Sequence, residues 1–202
     1  YNMVCSDAMA MIRETSEFME IHDKELVIVT KDNVQVQDYD GNPIERDSYT
    51  AELDLSDIGK GTYPYYMLKE IDEQPTVMRK LIQAYTAEND KVSVDPAIIQ
   101  AVQEADRLYI LAAGTSYHAG FATKRMLEEL TDTPVELGIS SEWGYRWPLL
   151  SKKPMFILIS QSGETADSRQ VLVKANAMGI PSLTVTNVPG STLSREATHT
   201  ML

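Results

Sequence analysis

Two short stretches carry the residue types from which an anion site is built. One is Gly114-Thr115-Ser116-Tyr117-His118, and the other is Ser160-Gln161-Ser162-Gly163-Glu164-Thr165. Each follows a short apolar run, Ile110–Ala113 in the first case and Phe156–Ile159 in the second, and each opens a helical pattern. Glycine lets the backbone approach a ligand closely. The first turn of a helix offers unpaired N–H groups and the positive end of the helix dipole. Hydroxyls add donors to phosphate or sugar oxygens. Together these parts suit a phosphate-type dianion held mostly without Lys or Arg. A single Ser or Thr ahead of a helix is most often an N-cap, but two hydroxyl-rich loops at two strand ends shift the balance toward a binding site.

The elements that must position these loops alternate. Residues 107–113 form a short apolar strand, followed by a helix that runs through Ala119, Thr123, Met126, Leu127 and Leu130. A strand over 135–139, a turn or short helix over 141–147, and a strand over 155–159 come next. A helix over about 165–178 is stopped by Gly179-Ile180-Pro181, then a strand covers 182–186, a short helix follows, and the chain reaches the strand-like His199-Thr200-Met201-Leu202. Continuous apolar runs mark strands covered on both faces. Their alternation with helices predicts an α/β fold, a doubly wound parallel sheet with right-handed crossovers. In such sheets ligands sit beyond the carboxyl ends of the strands, where both loops fall. The absence of Gly-x-Gly-x-x-Gly and Gly-x-x-x-x-Gly-Lys-Ser/Thr argues against a dinucleotide fold or an ATP-binding P-loop.

The first part of the chain reads differently. ELVIVTKDNVQVQDYDGNPIER holds two β-branched runs with turns at Asp32-Asn33 and Asp40-Gly41, a hairpin or meander. Residues 56–64, with two glycines and a proline, read as a linker. Met78, Leu81, Ile82 and Tyr85 lie at helical spacing, and Pro75 is expected to break or restart that helix. Asp95-Pro96 reads as an N-cap followed by proline at the first helical position, with Ile98, Ala101, Val102 and Ala105 as a face. The expected organisation is therefore 1–55, a linker over 56–64, and 65–202 with the doubly wound domain beginning near 96.

Composition limits the partners. The 202 residues carry a formal net charge of −12, which argues against a nucleic-acid or anionic-membrane surface. An anionic ligand must be held by local donors against that field. One cysteine, Cys5, rules out an internal disulfide and points to a reducing, cytoplasmic setting. Cys5 itself is expected to be a small buried apolar residue. No membrane-span run and no signal peptide are visible, and both ends read as cut from a longer chain. His22 and His199 carry no neighbouring ligand pattern, no metal site is visible and no cofactor is expected; His118, one turn into its helix, is expected to be exposed or to stand behind the site, with approach to a ligand as the second reading. Trp143, Tyr145 and Trp147 around Arg146 are expected to pack against a neighbouring element, with a subunit interface as the second reading. Glu164 is expected to point away from a bound dianion, toward backbone or a cation.

AAGTSYHAG, SEWGYRWPLL, ILISQSGETADS and TVTNVPGSTLSREA resemble the first sugar-isomerase (SIS) domain of the glutamine–fructose-6-phosphate aminotransferase family. Ser-Gln-Ser-Gly-Glu-Thr is common to many SIS domains; Asn187-Val188-Pro189-Gly190-Ser191 at this distance from it is more specific to the aminotransferase. Residues 5–10 and 36–41 look like the end of that family's glutaminase domain, and 66–75 are similar to its joining segment. The resemblance implies a flavodoxin-like SIS domain preceded by a short β-rich glutaminase remnant. It places sugar-phosphate contacts at Thr115, Ser116, Ser160, Gln161, Ser162 and Thr165. Ser160, Ser162 and Thr165 would hold the phosphate, with Thr115, Ser116 and Gln161 close to phosphate or sugar. Relatives often carry cysteine where this chain has Ala113.

By the same resemblance, this stretch holds no catalytic residue. The glutaminase nucleophile is an N-terminal cysteine upstream, and the base, histidine and lysine of the isomerase step lie beyond Leu202. The implied partners are fructose 6-phosphate or glucosamine 6-phosphate, and a second copy in a homodimer through the SIS region. A non-catalytic phosphosugar-sensing SIS module is the alternative. A DNA-reading regulator would carry a basic helix-turn-helix at its front, where this chain has an acidic β-rich stretch ending in Asp54-Leu55-Ser56-Asp57.

Overall fold

The computed structural model describes residues 2–5, 10–22, 24–50, 59–86 and 91–202. Residues 6–9, 54–57 and the 56–58 part of the expected linker lie outside them. The chain divides into two compact units, Tyr1–Lys80 and Leu81–Leu202.

In the first unit, β1 (Glu17–Phe18) pairs antiparallel with β5 (Tyr49–Thr50). β2 (Glu25–Val29), β3 (Val34–Asp38) and β4 (Pro43–Ile44) form an antiparallel meander, as the β-branched runs predict. Its second turn is built by Asp38, whose carboxylate accepts from Asp40 N at 2.9 Å, Asn42 N at 2.8 Å and Asn42 Nδ2 at 2.8 Å. Those bonds curl the chain through Gly41 at φ +86°. Cys5 is half-buried rather than buried.

Helix α1 (Tyr66–Ala84) continues past Pro75, contrary to the expected break. Proline removes one N–H, so the Ile71 carbonyl lacks its i+4 donor. The flanking turns still continue the helix. Met78, Leu81 and Ile82 are exposed along it.

The second unit begins within the last turn of α1 and continues with α2 (Pro96–Glu104), capped as predicted: the Asp95 carboxylate accepts from Ala97 N at 2.9 Å. Then follow β6 (Arg107–Ala112), α3 (Gly114–Thr131), β7 (Val135–Ile139), α4 (Ser140–Tyr145), β8 (Pro154–Ser160), α5 (Ala166–Ala177), β9 (Ser182–Thr186), α6 (Thr192–Glu196) and β10 (His199–Met201). The five strands form one parallel sheet in the order β10-β9-β8-β6-β7. This is the flavodoxin-like doubly wound order.

Alternation within each apolar run divides the core in two. Tyr109, Leu111, Phe156 and Leu158 pack on one face with Trp143 of α4, Val171, Leu172 and Ala175 of α5, and Leu193 of α6. Leu108, Ile110, Met155 and Ile157 pack on the other with Ile98, Ala101 and Val102 of α2 and Leu127 of α3. Burial of each large side chain contributes about 1.5–3 kcal/mol. Trp147 joins the first cluster against the Phe156 ring, with centroids 5.2 Å apart, so both tryptophans pack as predicted. Tyr145 does not, being 82% exposed.

Of the apolar positions read along α3, Leu127 packs against the sheet and the others do not. Ala119, Thr123, Met126 and Leu130 face outward, while Gly120, Lys124, Leu127 and Glu128 turn toward the sheet. Gly120 sets this rotation. A Cβ there would come 2.7 Å from Ile110 Cγ2 and 3.0 Å from Leu137 Cδ1. The helix therefore lies closest to the sheet at a residue that carries no hydrophobic signal. One turn further on, Lys124 Nζ donates to the Val135 carbonyl at 2.6 Å and Glu128 Oε1 accepts from Val135 N at 3.0 Å. No helix among the described residues is long and apolar enough to cross a membrane.

Candidate functional site

β6 lies between β7 and β8, and this is where the winding of the sheet reverses. The chain leaves β6 for α3 on one face and leaves β8 for α5 on the other. Ala112 pairs with Ile159, so the loops that follow leave the sheet at the same level. Both predicted loops thus open side by side at the topological switch point, the place where such sheets form a crevice. Ser160 pairs in turn with Thr186, which brings a third loop, 187–191, next to the second.

The first loop is short. Ala113 is extended at φ −131°, ψ 154° and supplies no side-chain cap to α3. Gly114 turns the chain at φ +56°. Thr115 is exposed and Ser116 half-buried in the first turn. His118 is exposed, its ring edge-on to Tyr117 at 5.6 Å.

The second loop is held by its own hydroxyls. Ser160 is 2% exposed; its Oγ accepts from Gly163 N at 3.0 Å and lies 2.8 Å from Thr165 Oγ1. Ser162 Oγ accepts from Glu164 N at 3.1 Å. Each serine therefore takes a loop amide as donor and retains a hydroxyl hydrogen to give. Gly163 sits at φ +69°, the left-handed region that favours glycine. Gln161 is exposed, and its carbonyl accepts from Asn187 N at 3.1 Å.

The third loop and α6 brace the second, an arrangement the sequence reading did not assign. Thr186 Oγ1 donates to the Gln161 carbonyl at 3.3 Å, and Leu193 N donates to the Gly163 carbonyl at 3.0 Å. Glu164 points away from the loop's interior, as expected. Its Oε1 accepts from Thr192 N at 2.8 Å. Arg169 of α5 holds Glu196 of α6 through two nitrogens, with Nη2 at 2.8 Å from Oε1. The signal for this brace in the sequence is Asn187-Val188-Pro189-Gly190-Ser191, a turn that leads from β9 into α6.

Thr115 and Ser116 thus stand at one strand end, with Ser160, Gln161, Ser162 and Thr165 at its neighbour. The arrangement sets hydroxyl donors and helix N-termini at two paired strand ends, on helices from opposite faces of the sheet, donor chemistry suited to an oxyanion. Among the described residues there is no cluster of three or more His, Cys, Asp and Glu fit to hold a metal ion. A cavity of about 540 Å³, lined by Glu136, Trp143, Arg146, Trp147, Pro148 and Leu149, involves none of these loop residues.

Comparison with known proteins gives this geometry a family. Over all 202 residues the chain is 84% identical to glutamine–fructose-6-phosphate aminotransferase [isomerizing] of Streptococcus mutans serotype c and 86% identical to that of Streptococcus pyogenes serotype M1. It spans 33% of the length of each. A solved structure, the C-terminal domain of glucosamine-fructose-6-phosphate aminotransferase from Francisella tularensis, matches 71% of this chain and 41% of its own, at 35% identity and a TM-score of 0.66. The family model for the SIS domain matches residues 101–202. The region it covers contains both hydroxyl-rich loops and the whole parallel sheet from β6 onward, and the chain belongs to the SIS domain family.

Proposed function

We propose that the chain supplies part of the sugar-phosphate-binding site of a glutamine–fructose-6-phosphate aminotransferase, the enzyme that makes glucosamine 6-phosphate from fructose 6-phosphate and glutamine. One observation carries the reading: two glycine- and hydroxyl-bearing loops open from paired strands β6 and β8 at the switch point. The high identity to proteins of that name supports the choice of ligand.

In this reading Ser160, Ser162 and Thr165 hold the phosphate, and Thr115, Ser116 and Gln161 line the phosphate or sugar. The residues bind and orient. Hydroxyl and amide donors stabilise the dianion within a molecule whose net charge is −12. The exposed Glu164 carboxylate is spent on the start of α6 rather than left facing the anion. Proton transfer and ammonia delivery belong to parts of the longer enzyme, and the chain alone is inactive. A cytoplasmic location and a homodimer through the SIS region complete the reading.

Thermal melting of the 202-residue chain with fructose 6-phosphate and glucosamine 6-phosphate tests it. Stabilisation by either sugar phosphate, reduced in Ser162→Ala, is expected. No shift at millimolar ligand overturns the assignment.

A further inference from the structure

Ser191 stands immediately before α6 and is 3% exposed. A serine in that position ordinarily caps the helix by accepting a first-turn N–H. Here other groups take that role: Glu164 Oε1 accepts from Thr192 N and the Gly163 carbonyl accepts from Leu193 N. Ser191 makes no side-chain cap bond, and among the described residues its buried Oγ has no hydrogen-bond partner.

The hydroxyl is not placed at random. A Cβ on Gly163 would lie 1.9 Å from Ser191 Oγ, so the hydroxyl presses against the left-handed residue of the second loop. Thr186 Oγ1 lies 2.9 Å from the same point but is committed, donating to Gln161 O and accepting from Val188 N. Ser191 is the uncommitted hydroxyl behind the loop. An unpaired buried hydroxyl is destabilising, and most buried polar groups have partners. A donor that gains its partner only when the loop grips a ligand makes that bond part of the binding free energy.

We propose that Ser191 is a positioning residue for the sugar-phosphate site. Its hydroxyl donates to an oxygen of the Gly163 turn as the loop closes on an anion, and so fixes the donors of 160–165 in their binding arrangement. It does not touch the ligand. This inference rests on the reading of the two loops as a sugar-phosphate site.

The test is the dissociation constant of glucosamine 6-phosphate and of inorganic phosphate for the 202-residue chain, Ser191→Ala and Ser191→Cys. Each is measured by titration calorimetry well below the melting midpoint of that protein. Ser191→Cys nearly preserves the volume but donates weakly, and keeps the test standing if Ser191→Ala does not fold. Both substitutions are expected to weaken binding about tenfold, the effect of one hydrogen bond. The melting midpoint of Ser191→Ala should not fall, because an unpaired buried hydroxyl has been removed. Binding within twofold of the parent in either variant overturns the role of Ser191 and leaves the site reading intact. No binding by the parent chain overturns both.

Discussion

Ser160 and Thr165 stand at the two ends of the loop that follows β8, and their hydroxyl oxygens are 2.8 Å apart. Because Ser160 Oγ also accepts from Gly163 N, an amide and two hydroxyls form a continuous run. Whichever of the two hydroxyls donates to the other, its partner keeps a hydrogen to give outward, polarised by the bonds behind it. The same contacts that shape the loop thus orient its donors.

Ser160→Ala should therefore damage both shape and binding. It leaves the buried Gly163 amide without its acceptor, at a cost of about 1–3 kcal/mol. At this chain length each kcal/mol lowers the melting midpoint by about 2–4 °C. Phosphate affinity should fall at least tenfold. Ser162→Ala, at a half-buried position, should weaken binding with a smaller change in midpoint. Calorimetric melting and titration of the two variants separate these effects.

Gly163→Ala is expected to be among the most damaging single-methyl changes in this loop. The left-handed backbone alone costs a non-glycine residue about 1–2 kcal/mol. The new Cβ would also lie 1.9 Å from Ser191 Oγ and 2.4 Å from Ser191 Cβ, so the braced loop has to move. Adding Ser191→Gly to Gly163→Ala removes both contacts with Ser191 but leaves Thr186 Oγ1 at 2.9 Å and the backbone cost. Denaturant unfolding should show that the double variant recovers part of the lost stability, a direct sign of coupling between the two loops.

Gly120→Ala tests the packing of α3. Within a helix this substitution normally gains about 1 kcal/mol in propensity. At Gly120 the Cβ meets Ile110 Cγ2 at 2.7 Å and Leu137 Cδ1 at 3.0 Å, and such overpacking costs about 1–3 kcal/mol. Net destabilisation is expected, and Gly120→Leu should be far worse. Ala122→Gly, on the exposed side of the same helix, should cost only the propensity term. Urea midpoints of the three variants give the comparison.

The parallel sheet was legible because its strands are apolar on both faces, and runs such as Leu108–Ala112 admit no other burial. Asp95-Pro96 was legible because the cap is a local event. The rotation of α3 was not, since its closest approach falls on a glycine, and a hydrophobic pattern counts only what side chains contribute. Pro75 misled because its cost is local while the continuity of a helix is decided over several turns. The two loops could be read letter by letter, whereas the bond from Glu164 to Thr192 joins residues 28 positions apart. Nothing in the local sequence around either predicts it. That Ser191 forgoes capping follows only from those non-local bonds.

Glu128 provides a pH-dependent prediction outside the site. Its carboxyl is held below the ordinary value of 4.5, first by the Val135 N–H it accepts and then by Lys124. A carboxyl whose folded value is depressed contributes stability that is fully present above its unfolded value. That contribution fades as the pH falls through the folded value. Lowering the pH from 7 toward 3 should therefore loosen the junction between α3 and β7. Glu128→Gln keeps an acceptor for Val135 N but cannot titrate. The stability gap between parent chain and variant should favour the parent near neutral pH and shrink in acid. Urea unfolding of both chains at a series of pH values measures that gap, and a gap independent of pH would mean that the Glu128 charge contributes nothing to the fold.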